Sequence, residues 1–236
     1  MKRLLIIFAL FCYTATTYGQ ITAGLTASGF VNKIREVRAT GAASFGGIGS
    51  RPSFSVGGFL QADHSAWLST RLELNYTNTG YNSENENRGN PYTVSNSIFN
   101  YAQVSPMIGV RTKQGFNLFT GPTLNTFLGS STRSRQITID DQGLVTPTDK
   151  WFNGVNNLFD SFGSTKPFVM GWQVQLGYTH NRFSVHARRQ WHVQPMGNLV
   201  SRGEKDTDLY YFRSWQYGLS YALFRSKGKQ LKPNSL

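Results

Sequence analysis

Apolar and polar side chains alternate in short segments along the chain, from just after residue 20 to Phe224. A period of two places every second residue on the same face of a β-strand, so these segments predict strands rather than helices. Pro106 and Pro122 each remove one ladder donor, and we expect them at bulges or near strand ends. The predicted strands cover residues 21–31, 53–63, 67–77, 98–111, 116–128, 167–179, 183–191 and 209–224.

The connections between these strands alternate in length. Short turns follow the second, fourth and sixth strands, and the other connections are long and polar: residues 33–52, 78–96, 129–166 and 192–208. An even strand number with alternating short and long connections is typical of closed barrels in bacterial outer membranes. The sequence therefore predicts an all-β fold, an eight-stranded antiparallel up-and-down transmembrane β-barrel over residues 20–224, with short periplasmic turns and long outer loops.

The two ends of the chain are expected to lie outside this barrel. The pattern of residues 1–19 predicts a signal peptide, because Lys2 and Arg3 precede a short apolar run, which is followed by small and polar residues. The run is too short for a spanning helix. The only cysteine, Cys12, lies in this segment, so the mature chain is expected to contain no disulfide. Residues 225–236 are expected to form a basic periplasmic tail.

Alternation alone does not say which face of the sheet lies inside the barrel. A soluble barrel would turn the apolar face inward, which would indicate a lipid carrier. We favour a polar interior, because Ser, Thr, Gly, Asn and Gln fit a narrow lumen and because Arg71 and Glu73 lie two residues apart, where they could pair. Four tryptophans on the apolar face lie near predicted strand ends, as expected at a lipid interface: Trp67, Trp172, Trp191 and Trp215.

The formal net charge of +12 bears on the partner more than on the fold. An exported basic chain is expected to meet outer-membrane lipid, including the phosphates of lipopolysaccharide, and no motif indicates binding to nucleic acid. The histidines are scattered, and the acidic residues of the long loops match no calcium-binding pattern. We therefore expect a monomer without metal or cofactor in the cell outer membrane.

Four segments carry a resemblance to a known family: YAQVSPMIGV at residues 101–110, FTGP at 119–122, QLGY at 175–178 and YGLSYALF at 217–224. They resemble the small outer-membrane β-barrel proteins of the Bacteroidetes, the porin-family or PorT-like type, which are related in architecture to OmpA and OmpX barrels. The resemblance extends over the predicted mature chain. It implies the fold and the location, and most such proteins have no assigned activity.

Charged residues on the predicted polar face form the first candidate site. A buried charge without a partner is costly inside a membrane protein, so we expect them to form a lumen charge network. Its members are Arg71, Glu73, Arg111, His186 and Arg188. The network either fills the lumen, as eight strands favour, or gates a narrow porin-like channel.

Two further groups of residues suggest functions from different classes. Ser184, His186 and Glu73 are the residue types of a hydrolase triad, which makes an outer-membrane lipid hydrolase one alternative. The third long loop contains aromatic residues that could form a lid or a partner surface: Trp151, Phe152, Phe159 and Phe162. The leading hypothesis is a non-enzymatic protein with a structural, adhesion or secretion-accessory role through its extracellular loops.

Overall fold

A computed structural model describes residues 20–37, 48–85, 92–139, 145–153, 168–194, 198–200 and 207–226. The predicted signal peptide, Phe159, Phe162 and most of the predicted tail lie outside these residues. The strands are β1 Gln20–Val37, β2 Ile48–Ser50, β3 Pro52–Asp63, β4 Leu68–Asn85, β5 Tyr92–Arg111, β6 Phe116–Ile139, β7 Val145–Asn153, β8 Phe168–His180, β9 Phe183–His192, β10 Asn198–Val200 and β11 Thr207–Arg225.

Eight of these strands form a closed antiparallel barrel in the order β1, β3, β4, β5, β6, β8, β9 and β11. Pairing of β1 with β11 closes it, from Thr22 opposite Arg225 to Val37 opposite Leu209. Closure pairs the backbone groups that an open edge would leave without hydrogen bonds in lipid. The predicted fold class, an eight-stranded up-and-down barrel, is confirmed.

The tilt of the strands follows from their pairing. Ladder partners followed once around the barrel from Val31 return to β1 at Ile21, ten residues nearer the short turns. For eight strands this stagger corresponds to a tilt of roughly 40°, and the interior is only wide enough for side chains. The lumen is therefore a narrow space that the inward side chains can fill.

The alternation sorts the side chains as predicted, with the polar set inside. In β8, Val169, Gln173 and Gln175 are buried, whereas Phe168 and Leu176 are more than half exposed. The same division holds in β11, where Ser214, Gln216 and Ser220 are buried. The exterior of the barrel is consequently an apolar belt and its interior is largely polar.

The short turns lie at one end of the barrel, at residues 64–67, 112–115 and 181–182. Asn181 has a φ of 54° and Gly115 a φ of 100°, values in the left-handed region that Asn tolerates and Gly adopts without steric cost. Predicted and observed turns agree within about two residues, the usual uncertainty of element ends. We call this end of the barrel the short-turn end.

At the opposite end the strands continue much further than predicted. Residues 78–85, 92–96, 129–139 and 145–153, which we expected to be loop, are strand. The prediction was wrong because Asn, Ser and Thr interrupt the apolar alternation there, while the backbone ladder continues without it. Residues 79–85, 92–99, 130–139 and 145–153 of β4, β5, β6 and β7, with β2 paired to residues 81–83 of β4, form a five-stranded antiparallel sheet, the projecting sheet.

The two strand prolines also differ from expectation. Pro106 and Pro122 face each other in mid-strand, where the β5–β6 ladder stops at Val104 opposite Leu124 and resumes at Ile108 opposite Thr120. The β-bulge of this pair lies elsewhere, between Asn100 and Tyr101. Because the prolines are opposite one another, both missing donors fall in one short gap, and the neighbouring ladders remain continuous.

Candidate functional site

A buried carboxylate lies at the centre of the lumen. Glu73 is fully buried, and its Oε1 accepts a hydrogen bond from Nε of Arg71 at 2.8 Å. Its Oε2 accepts hydrogen bonds from Nη2 of Arg188 at 2.6 Å and from Nδ2 of Asn75 at 3.2 Å. Nε of Arg188 also donates to Oε1 of Gln175 at 3.0 Å. We call these five residues the Glu73 cluster.

The Glu73 cluster joins opposite walls of the barrel. Arg71, Glu73 and Asn75 lie on alternate positions of β4, and Arg188 lies on β9, which is separated from β4 by three barrel strands on either side. Arg71 reaches further, to Oγ of Ser220 at 3.1 Å, and its guanidinium lies 4.0 Å from the centre of the Phe59 ring. The ion pair between Glu73 and Arg188 therefore crosses the lumen.

The structure does not assemble the hydrolase set that the sequence suggested. Nε2 of His186 is 3.2 Å from Oγ of Ser28, and Ser184 instead shares a hydrogen bond of 2.8 Å with Oγ1 of Thr179. Both oxygens of Glu73 are occupied by arginine and asparagine donors. The Ser–His–carboxylate relay of a triad is absent from this arrangement.

Arg111 lies apart from the other predicted members of the network. Its Nη1 contacts Oδ2 of Asp63 at the short-turn end, and Oδ1 of Asp63 accepts hydrogen bonds from Gln61 at 2.8 Å and Ser69 at 2.7 Å. A cavity of about 280 Å³ opens between this pair and the Glu73 cluster. The expected single network is therefore two groups, one closing the lumen and one at its mouth.

Beyond the Glu73 cluster the lumen is closed by apolar side chains that the sequence analysis missed. Phe99, Tyr101, Val169 and Phe212 are buried against one another, with Tyr81 and Phe127 packed on them. A cavity of about 20 Å³ lies beneath them, room for about one water molecule. The sequence does indicate these apolar side chains, because residues 99 and 101 lie on the same strand face as Gln103, which is the polar face. We call Phe99, Tyr101, Val169 and Phe212 the aromatic cap.

Part of the loop that was predicted to carry aromatic residues is a paired strand, β7, in the projecting sheet. Trp151 and Phe152 lie in β7, opposite Arg133 and Thr132 of β6. Of the four predicted aromatic residues these two are therefore in a paired strand, which corrects the expectation of a loop. Phe159 and Phe162 lie outside the described residues.

Ion pairs connect β7 to β6. Oδ1 of Asp149 accepts from Nε of Arg135 at 2.8 Å, and Oδ2 accepts from Nη2 of Arg133 at 3.0 Å. Hydrogen bonds from Arg135 and then Arg133 lower the pKa of the Asp149 carboxyl to about 2. These contacts are exposed, as expected for a sheet that stands in water.

Aromatic side chains mark both limits of the apolar belt. Near the short turns, Phe116 packs on Tyr178 and Phe183 on Tyr221, with ring centres 5.1 and 4.8 Å apart. At the other limit, the hydroxyl of Tyr76 donates to Oδ1 of Asn100 at 2.7 Å. Aromatic side chains at the limits of an apolar band are typical of a barrel that spans a bilayer, and closed barrels of this kind lie in outer membranes.

The described residues contain neither a membrane-spanning helix nor a metal-holding cluster of side chains. No helix among them is long and apolar enough to cross a membrane. Within the same residues, no group of three or more His, Cys, Asp or Glu side chains is placed to hold a metal ion.

Comparison with known proteins finds similar architecture at very low identity. No protein-family model matches the chain, and no curated protein matches it. Ail, the attachment invasion locus protein of Yersinia pestis, solved with the heparin analogue sucrose octasulfate, is 11% identical with a TM-score of 0.41, over 88% of this chain and 100% of Ail. Neisserial surface protein A is 12% identical with a TM-score of 0.39, over 84% and 97% of the two chains.

A third similar structure is the outer membrane protein OprG from Pseudomonas aeruginosa. It is 12% identical with a TM-score of 0.37, over 87% of this chain and 96% of OprG. By their names, these three are an attachment protein, a surface protein and an outer-membrane protein.

Proposed function

We propose that this chain is a non-enzymatic outer-membrane β-barrel protein that presents its projecting sheet and outer loops to a partner at the cell surface. The observation that carries the proposal is the length of the β5–β6 hairpin. The 20 residues of β5 extend about 65 Å along the strand. Tilted by roughly 40°, they rise about 50 Å, twice the height of an apolar band of about 25 Å. Half of the hairpin is thus available outside the bilayer.

The filled lumen supports this role over that of a narrow channel. The Glu73 cluster joins the walls in the middle of the barrel, and the aromatic cap closes the end away from the short turns. A conducting path would have to displace both, breaking a buried ion pair and exposing apolar rings to water. The wild-type protein is expected to show no open-channel conductance in a planar bilayer.

The lipid-hydrolase alternative receives no comparable support. Ser184 and His186 have different hydrogen-bond partners, and His186 is buried inside the barrel. Among non-enzymatic roles, adhesion and assistance to secretion both need a surface outside the membrane. The segments at residues 101–110 and 119–122 favour membership of the Bacteroidetes porin-family or PorT-like barrels.

Site-specific photocrosslinking in intact cells tests the proposal. A photoreactive amino acid replaces Thr148, which is exposed on β7, or Leu219, which is exposed in the apolar belt. We expect a discrete protein adduct at the cell surface from position 148 and none from position 219. Deleting the gene for the captured protein should abolish the adduct, and removing residues 136–148 should abolish the phenotype that the two genes share.

The opposite results would contradict the proposal. Adducts only from position 219 would indicate a partner inside the membrane. Measurable single-channel conductance of the wild-type protein would favour the channel. Loss of a lipid cleavage product in both Ser184→Ala and His186→Ala, with the barrel still folded, would favour the hydrolase.

A further inference from the structure

Two arginines interrupt the apolar belt on one side of the barrel. The outward positions of β8, β9 and β11 form adjacent cross-strand rows, Trp172–Trp191–Arg213 and Val174–Arg189–Trp215. Three tryptophans and two arginines thus lie within two neighbouring rungs. We call Trp172, Trp191, Trp215, Arg189 and Arg213 the Arg189 patch.

The height of the Arg189 patch is set by its distance from the short turns. Arg189 lies six residues above Phe183, the first residue of β9 and part of the lower aromatic pair. With tilted strands this is a rise of about 14 Å, within an apolar band of about 25 Å. Arg213 and Trp191 lie in the next outward-facing row, two residues further from the short turns. The patch therefore faces the leaflet on the side of the projecting sheet.

Arg189 has no charged partner among the described residues. Its guanidinium carbon lies 5.0 Å from the centre of the Trp215 ring, and no hydrogen bond or ion pair joins it to the part of the chain that the structure describes. An arginine facing lipid is costly unless its head reaches the interface or an anion. A stacked guanidinium keeps its edges free to donate hydrogen bonds to such an anion.

We propose that the Arg189 patch binds the phosphate of a lipid headgroup in the outer leaflet, with lipid A as the source. Arg189 and Arg213 would donate charge-assisted hydrogen bonds to the phosphate oxygens, for which the guanidinium fork is well suited. The three tryptophans provide amphipathic rings beside the arginines, and the long arginine side chains can extend from the belt toward the headgroups. The inference rests on the proposed outer-membrane location and adds a defined lipid site to it.

Binding of lipid A to the full chain, extracted in detergent and followed by native mass spectrometry, tests the site. We compare wild type with Arg189→Gln/Arg213→Gln. Losing two charge-assisted contacts should weaken binding of diphosphoryl lipid A roughly ten-fold or more. Dephosphorylated lipid A should bind wild type and variant equally weakly. Arg189→Lys/Arg213→Lys should restore part of the affinity, because it keeps the charge and loses the fork.

A matched control removes two charges elsewhere. Lys113→Gln/Arg182→Gln changes exposed residues of the short turns and should leave lipid A binding unchanged. Equal affinity of wild type and Arg189→Gln/Arg213→Gln would overturn the proposal, as would an equal loss in the control. Complete competition by millimolar inorganic phosphate would overturn the assignment to a lipid in favour of a free anion.

Gel mobility separates failure of this site from failure of the proposed location. Every variant is compared boiled and unboiled, in outer-membrane fractions. A wild-type protein that shows no heat-dependent shift and is absent from the outer membrane would contradict the location and the lipid site together. A normal shift with unchanged lipid A binding in Arg189→Gln/Arg213→Gln would contradict the lipid site alone.

Discussion

The two halves of the lumen are closed by opposite chemistry. Around Glu73 the closure is ionic, with two buried arginines sharing one carboxylate across the barrel. Toward the projecting sheet it is apolar, with aromatic rings packed above a cavity of about 20 Å³. The stability of the ionic half depends on specific ion-pair partners. The stability of the apolar half depends on how completely its side chains fill the lumen. The same narrow lumen is thus sealed twice, and the two seals should fail in different ways.

Removing the shared carboxylate should have the largest effect. Glu73→Ala leaves Arg71 and Arg188 buried without their anion, which we expect to cost about 3–5 kcal/mol of unfolding free energy. Urea unfolding in lipid vesicles, followed by loss of the heat-dependent gel shift, measures it. Arg71→Met/Glu73→Leu/Arg188→Met should be more stable than Glu73→Ala. If the triple variant is the less stable, the cost does not come from unpaired charge.

The aromatic cap should respond to lost volume instead. Phe99→Ala opens a cavity where the ring was fully buried, and we expect a loss of about 3 kcal/mol. Phe168→Ala is the matched control in the apolar belt, where acyl chains can occupy the vacated space. The same unfolding assay should show a clearly smaller loss for Phe168→Ala. Equal losses would mean that the cap packs no more tightly than the belt.

Adding a single methyl group should destabilise the crowded interior of the barrel and not its apolar belt. A Cβ at Gly121 would collide with the carbonyl oxygen of Pro106 on the neighbouring strand, whereas one at Gly29 would meet nothing within 4 Å. Gly121→Ala should therefore destabilise the barrel by about 1–3 kcal/mol, as overpacking does. Gly29→Ala should leave the unfolding midpoint unchanged. A tolerated Gly121→Ala would show that the β5–β6 gap at the prolines can widen.

The smallest effect should be confined to the projecting sheet. The pKa of Asp149 is lowered to about 2, so its ion pairs are fully present above about pH 4, the unfolded value, and are lost as the pH falls through about 2. Hydrogen exchange of residues 145–153 should be faster in Asp149→Asn than in wild type at pH 7, and the difference should become smaller at pH 2, where about half of the carboxyl is protonated. Barrel unfolding should be the same in both. A difference as large at pH 2 as at pH 7 would contradict the role of the charge.

The apolar alternation predicted the barrel because burial in lipid acts on one face of every strand. It also predicted the pairing of Arg71 with Glu73, since residues two apart share a face. It did not predict the projecting sheet, where the apolar alternation disappears although the backbone ladder continues. It missed Phe99 and Phe212 because a single apolar residue on the polar face of a strand does not change the pattern of that strand. Only the closed barrel shows that these two side chains pack in the same cluster.

The location of the two ends of the barrel is the central claim, and cysteine labelling tests it most directly. In a Cys12→Ser background the chain has no other cysteine, so Thr148→Cys and Lys113→Cys each carry a single thiol. A membrane-impermeant maleimide added to intact cells should label the Thr148→Cys variant and label Lys113→Cys only after the outer membrane is disrupted. Labelling of Lys113→Cys alone in intact cells would contradict the orientation, and recovery of both variants unlabelled in the soluble periplasm would contradict the membrane barrel.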